Sequence, residues 1–226
     1  MPIKSDGEAD MRVAGRFDGG FSWIAHPEEL MQRASHAVAV DDDVWLIDPV
    51  DAPELDDELE ELGTVAGVVV LLDRHKRDSA AIADRHDVPV YVPASMSGVV
   101  EELDAETERF DDELADTGFA ATDVINNRLW QEVALFDDET GTLVVAESVG
   151  TSSYFRTEEE RLGVHPALRL RPPRSTLNQF SPGRILVGHG DPVLEDATVA
   201  LTDALAHGRR RTPRLYAGML KSRLTG

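Results

Sequence analysis

Cysteine is absent from the 226 residues. That excludes a disulfide framework, a thiolate metal site and a cysteine nucleophile. There is no apolar run of 18 or more residues, and the opening MPIKSDGEAD lacks the charged and apolar regions of a signal peptide. A soluble cytoplasmic protein is the expectation. Lysine is nearly missing too, since Lys4, Lys76 and Lys221 are the whole set and every other basic residue is arginine. No Pro/Gly/Ser-rich linker divides the chain. One domain over 1–226 is therefore expected, with a loose N-terminus at 1–10, a C-terminal helical extension at 208–226, and length enough to bury a sizeable core.

What the chain does have is acid: 43 acidic against 22 basic residues, a formal charge of −21. Self-repulsion of that size weakens a compact state in dilute buffer and is screened within roughly 3 Å at about 1 M salt. The combination with lysine depletion resembles proteins of salt-accumulating haloarchaea. An acidic surface also argues against nucleic acid or an anionic membrane as main partner.

The organising stretch is Gly67–Asp78, GVVVLLDRHKRD. Its β-branched run predicts a strand over 65–72 buried on both faces, followed by a crossover helix over about 77–86 and a short strand at 88–92, a right-handed βαβ unit. The carboxyl end of such a strand is where open α/β sheets place chemistry. Hairpins are expected from Arg12–Phe17 with Phe21–Ile24 and from Ser35–Val40 with Val44–Asp48. The spacing of Leu55, Leu59 and Leu62 predicts a helix over 54–62. Residues 95–104 read as helical, and the acidic ETERFDDELADTGF as an exposed hairpin or loop. Strands follow at Thr122–Ile125, Gln131–Phe136, Thr142–Ala146 and Arg184–Val187, with a long loop containing a short helical piece over 161–184 and two closing helices, Ala197–His207 and Leu215–Arg223.

A strand ending at Asp48, a buried strand ending DRHKRD, the hairpin VALFDDETGTLVVAE and a late strand ending ILVGHGDPV, in this order, resemble the metallo-β-lactamase fold over roughly residues 12–206. The resemblance implies an α/β, four-layer αβ/βα sandwich with a dinuclear metal site at one edge of two sheets, used mostly for hydrolysis. Its His-x-His-x-Asp-His motif falls here on Asp73, His75, Arg77 and Asp78. The third histidine falls near Arg128, the bridging aspartate on Glu147, and the last histidine on His189.

A guanidinium has no lone pair to give a metal. A conventional dinuclear zinc site is therefore not expected, and the metal candidates are Asp73, His75, Asp78, Glu147 and His189, with Asp48 supporting them from behind. Three readings stand open. Arg77 and Arg128 replace the metals with fixed positive charge in a pseudo-enzyme; one divalent ion (Zn, Mn or Mg) sits among the carboxylates and imidazoles of a hydrolase; or Arg77, Arg128 and Arg74 hold the anionic group of a small-molecule ligand. On the first reading no cofactor is expected.

The remaining histidines, His26, His36, His86, His165 and His207, belong to no constellation. Trp130 and Glu132 share one strand face, which is either the site wall or core, with core the expectation for Trp130. Ser152, Ser153 and Ser181 have no histidine–carboxylate partner at a recognisable spacing. The segments at 104–121 and 151–180 have no assigned packing partner, which leaves a homodimer open.

Overall fold

A computed structural model describes residues 2–5 and 9–225 of the chain. Two sheets carry the architecture. The first has seven strands in chain order: β1 (Arg12–Phe17), β2 (Gly20–Ile24), β3 (Ala34–Val40), β4 (Asp43–Ile47), β5 (Thr64–Val69), β6 (Val90–Pro93) and β7 (Thr107–Phe110). Its hairpins β1–β2 and β3–β4 are antiparallel, and β4 to β7 are parallel. The second contains β8 (Ala120–Asn127), β9 (Trp130–Asp137), β10 (Thr142–Val145) and, after the small ribbon β11 (Val149–Gly150) with β12 (Gly163–Val164), β13 (Arg184–Val187), in the order β13-β10-β9-β8.

Side-chain alternation sorts the layers, because successive strand residues face opposite sides. On the second sheet, Val133, Leu135, Val144 and Leu186 pack into one core with β2, β4 and β5 of the first. Their neighbours Ala134, Leu143, Val145, Ile185 and Val187 pack against Ala197, Ala200, Leu201, Ala204 and Leu205 of a long C-terminal helix. Helices α1 (Leu55–Glu60), α2 (Ser79–His86) and α3 (Ser97–Val100) contact the first sheet, whereas α4 (Arg174–Leu177) and α5 (Ala197–Thr225) contact the second. Helix, sheet, sheet, helix is the expected αβ/βα sandwich. No helix among the described residues is long and apolar enough to cross a membrane.

Four expectations change in detail. The central strand ends at Val69 rather than Leu72, because the chain there leaves one sheet for the other. Leu72 bridges Glu132, the Val133 amide donates to the Leu71 carbonyl at 2.9 Å, and the Asp73 amide donates to the Gln131 carbonyl at 3.0 Å. Residues 107–110 of the acidic segment form a parallel edge strand on β6, since Phe110, Leu114 and Phe119 are buried anchors in an otherwise solvated stretch. The two closing helices are one, α5, with Pro213 inside it. Helix there survives a proline because Leu215 is buried and Arg211 and Arg214 reach Asp203 and Glu159, each at 2.5 Å. In 95–104, only Ser97–Val100 is helical.

The sheets are laced at one end. Ala34 at the start of β3 donates its amide to the Gly188 carbonyl just past β13 (2.9 Å), and Arg33 bridges His189. With the Leu72–Glu132 crossing, this brings the ends of β4, β5, β10 and β13 to one edge, where the ionisable residues collect.

Candidate metal centre

His75 follows the crossover Leu71–Asp73, Glu147 follows β10, and His189 sits in the turn after β13. The structure brings these three together: a ligand atom from each lies within 4.8 Å of the other two, and all are buried. The Nε2 atoms of His75 and His189 are 3.3 Å apart, and Glu147 Oε1 is 3.5 Å from His189 Nε2.

The other ring nitrogens fix the tautomers. His189 Nδ1 faces the Met31 carbonyl oxygen at 3.1 Å, an acceptor only, so the proton is on Nδ1. His75 Nδ1 lies 2.9 Å from Asp48 Oδ2 and donates to that carboxylate. Burial pushes both imidazoles below the ordinary histidine value, His75 well below it, with the Arg77 charge acting in the same sense. Both rings are then neutral at pH 7, and two Nε2 lone pairs face each other with a carboxylate oxygen beside them. Burial raises the Asp48 carboxyl to about 6, with Arg77 and the Leu71 amide pulling the other way. For Glu147 burial would raise the value, but His189, His75 and Arg74 outweigh it and hold the carboxyl well below the usual range.

Asp73 and Asp78 are not in this cluster. Asp73 Oδ2 accepts the Gln131 amide at 3.0 Å and its Oδ1 takes Arg74 at 3.1 Å, whereas Asp78 Oδ2 accepts the Asp51 amide at 2.9 Å. Asp48 stands behind His75, its Oδ1 accepting the Leu71 amide at 2.9 Å.

The three arginines separate. Arg77 donates to the carbonyls of Ala34 (2.5 Å), Asp48 (2.6 Å) and Gly188 (3.0 Å), bracing the laced edge rather than pairing with a carboxylate. Burial lowers its value to about 10, which leaves it charged at neutral pH. Arg128 is exposed in the β8–β9 turn and makes no ion pair among the described residues. Arg74 takes the carboxylate pairing expected of Arg77 and Arg128: its Nη2 pairs with Glu147 Oε2, Nη1 pairs with Asp73, and the guanidinium lies 4.1 Å over the Trp130 ring.

Two neighbours, Phe155 and His165, had no sequence signal, and Glu132 had a partial one. Phe155, from the irregular 151–162 segment, stacks on His189 with ring centres 5.2 Å apart. His165, whose value burial lowers to about 4, packs between Trp130 and Phe155. Glu132 is wholly buried; burial raises its carboxyl, while three N–H donors, the amides of Glu147 and Ser148 and the Trp130 indole, act against that rise. Alternation puts Trp130 and Glu132 on one face, open between site wall and core, but gives no sign of these hydrogen bonds.

The donor set can be tested against an ion. Bonds of about 2.0–2.1 Å in a tetrahedron put neighbouring donor atoms about 3.3–3.4 Å apart, and the two measured separations from His189 are 3.3 and 3.5 Å. The cluster fits one divalent ion. Asp73 and Asp78 accept backbone amides, Arg77 donates to carbonyls and Arg128 is in a turn, so none of these four adds a ligand to the cluster.

No protein-family model matches this sequence, and no curated protein matches it. Solved structures do. The DIM-1 metallo-β-lactamase, in a crystal exposed to ceftazidime, aligns with a TM-score of 0.65 at 12% identity over 91% of this chain and 99% of that one. TMB-1 aligns at 0.63 and 12% identity, over 89% and 98%. A metallo-β-lactamase from Hirschia baltica aligns at 0.60 and 9% identity, over 87% and 96%.

Proposed function

Because the chain has the metallo-β-lactamase fold, we propose that it is a metal-dependent hydrolase working with a single divalent ion held by His75, Glu147 and His189. The observation carrying this reading is the pair of neutral Nε2 atoms 3.3 Å apart with a carboxylate oxygen at 3.5 Å. With no proton between them they repel, and a cation turns that repulsion into ligation. The likeness to solved structures contributes the fold and nothing about substrate.

A bound divalent ion would supply Lewis acidity to a carbonyl or phosphoryl group. The rest is the work of the chain. Asp48 and the Met31 carbonyl hold the two imidazoles in the ligating tautomer. Arg74 takes Glu147 Oε2 and leaves Oε1 turned to the histidines. Phe155 covers His189, and Arg74, partly exposed, offers its remaining donors to an anionic group of a small-molecule substrate.

The Arg74–Glu147 pair also favours a second reading, in which the guanidinium neutralises the carboxylate, no ion is taken, and the protein is a pseudo-enzyme or an anion-binding module. Titration of metal-free protein with Zn²⁺ and Mn²⁺ decides. One equivalent is expected, with affinity lowered about 100-fold or more in His189→Ala and Glu147→Ala, and unchanged in Asp73→Asn and Asp78→Asn. Two equivalents, or none, overturns the single-ion reading.

A further inference from the structure

We propose that Glu132 is the positioning residue of this centre: one buried carboxylate fixes both the direction of Glu147 and the Trp130–Arg74 pair beside it. The inference rests on the single-ion reading above for its metal readout, and on geometry alone for the rest.

A carboxylate with no exposure is costly unless its oxygens are satisfied, and an apolar side chain would fill the same space without that cost. Here every donor that satisfies it belongs to the centre. Oε1 accepts the amides of Glu147 and Ser148, each at 2.8 Å. Strand β10 has ended at Val145 and β11 has not begun, so no ladder partner holds these two amides. The backbone at Glu147 is therefore oriented by the Glu132 carboxylate. Oε2 accepts the Trp130 indole N–H at 2.9 Å, which fixes the ring whose face carries the Arg74 guanidinium. Arg74 returns to Glu147 Oε2 and closes a circuit of four residues. A plain strand cap would need the first oxygen only. The second extends the control to the arginine that decides which Glu147 oxygen faces His189.

The circuit predicts different outcomes for two substitutions. Glu132→Gln keeps one oxygen for the two amides and turns an NH₂ toward the indole, so zinc affinity changes by no more than about threefold while the Trp130 indole resonance shifts. Glu132→Ala releases the amides as well and lowers zinc affinity about 10–100-fold, the usual effect of losing an outer support. Trp130→Phe identifies the indole signal. Combined with Glu132→Gln it is no worse than either change alone, because both open the circuit at one link.

Wild-type affinity in a folded Glu132→Ala protein, or additive losses in the double variant, would overturn the proposal. Should Glu132→Ala not fold, the double variant carries the test. In metal-free protein, the imidazole nitrogen resonances of His189 shift in Glu132→Gln/Trp130→Phe as Glu147 turns, and unchanged resonances count against the circuit. A wild-type chain that takes no zinc but has a shifted His189 signal in that variant sinks the single-ion reading and leaves the positioning role standing.

Discussion

At a position that a ligand would occupy in the resembled motif, Arg77 can only donate, and its charge goes to three carbonyls from β3, the end of β4 and the end of β13. It does so from a left-handed backbone (φ 43°), an arrangement that a side chain of this kind adopts only when the surroundings hold it there. Arg77→Met keeps the apolar stem and removes the charged donor from all three, although Ser35 Oγ still reaches the Asp48 carbonyl (3.0 Å) and the Ala34 amide still reaches the Gly188 carbonyl (2.9 Å). At about 1–3 kcal/mol for a buried group left unsatisfied, a loss of about 1–3 kcal/mol is expected, and urea unfolding at neutral pH measures it. A second residue-scale consequence comes from His36, whose ring burial drives from 6.5 to about 3. Below pH 6.5 the unfolded chain binds a proton that the folded chain refuses until about pH 3. Stability therefore falls as pH drops through that window, approaching about 1.4 kcal/mol per pH unit for this group. His165, lowered to about 4, acts in the same direction, and Asp48, raised to about 6, opposes them between its unfolded value and 6. The acid limb of stability against pH should flatten by about one proton in His36→Gln. An unchanged slope would mean that His36 is not the group refusing the proton.

Among the elements, legibility followed local pattern. The hairpins, the βαβ unit and the β9–β10 hairpin were readable because alternation or an apolar run marks each of them, and the expected ligands His75, Glu147 and His189 lie at the ends those patterns define. What could not be read is what the second sheet does to the first. The run Val68–Leu72 gives no sign that its last residues leave β5 to pair with β9, and that crossing is why Asp73 faces Gln131 instead of the centre. Arg128 and Arg74 could not be ranked from sequence either, since the choice depends on where the β8–β9 turn points and on Trp130 offering its face. The β10–β13 pairing offers a test at this scale. A Cβ on Gly188 would meet the Ala146 carbonyl oxygen at 2.2 Å, backbone that cannot turn aside. Gly188→Ala should push apart the two strand ends that carry Glu147 and His189, lowering zinc affinity by about tenfold or more while far-ultraviolet circular dichroism stays near wild type. Equal affinities would show that the close approach of these strands does not set the centre.

Charge is distributed unevenly over the whole molecule. Residues 208–226 hold six basic and no acidic residues, so all 43 acids lie in residues 1–207 with only 16 basic partners. The basic end of α5 is tied to the acidic body by Arg211 to Asp203 and Arg214 to Glu159, both at least partly exposed pairs. Salt acts on these two features with opposite sign. Screening relieves repulsion among the carboxylates of the body, which dominates by number, and weakens the exposed ties that hold the helix end. The melting temperature should therefore rise between 0.1 and about 2 M KCl, where the Debye length has fallen from about 10 Å to under 3 Å. Over the same range, amide exchange in the segment after Gly208 should quicken relative to the rest of the chain. Removing the repulsion chemically gives the matching control: replacing acidic residues of the exposed 101–116 segment with glutamine or asparagine should raise stability at low salt and shrink its response to KCl. A melting temperature that is flat or falling with KCl would mean that burial in the two cores, and not surface repulsion, limits the stability of this fold.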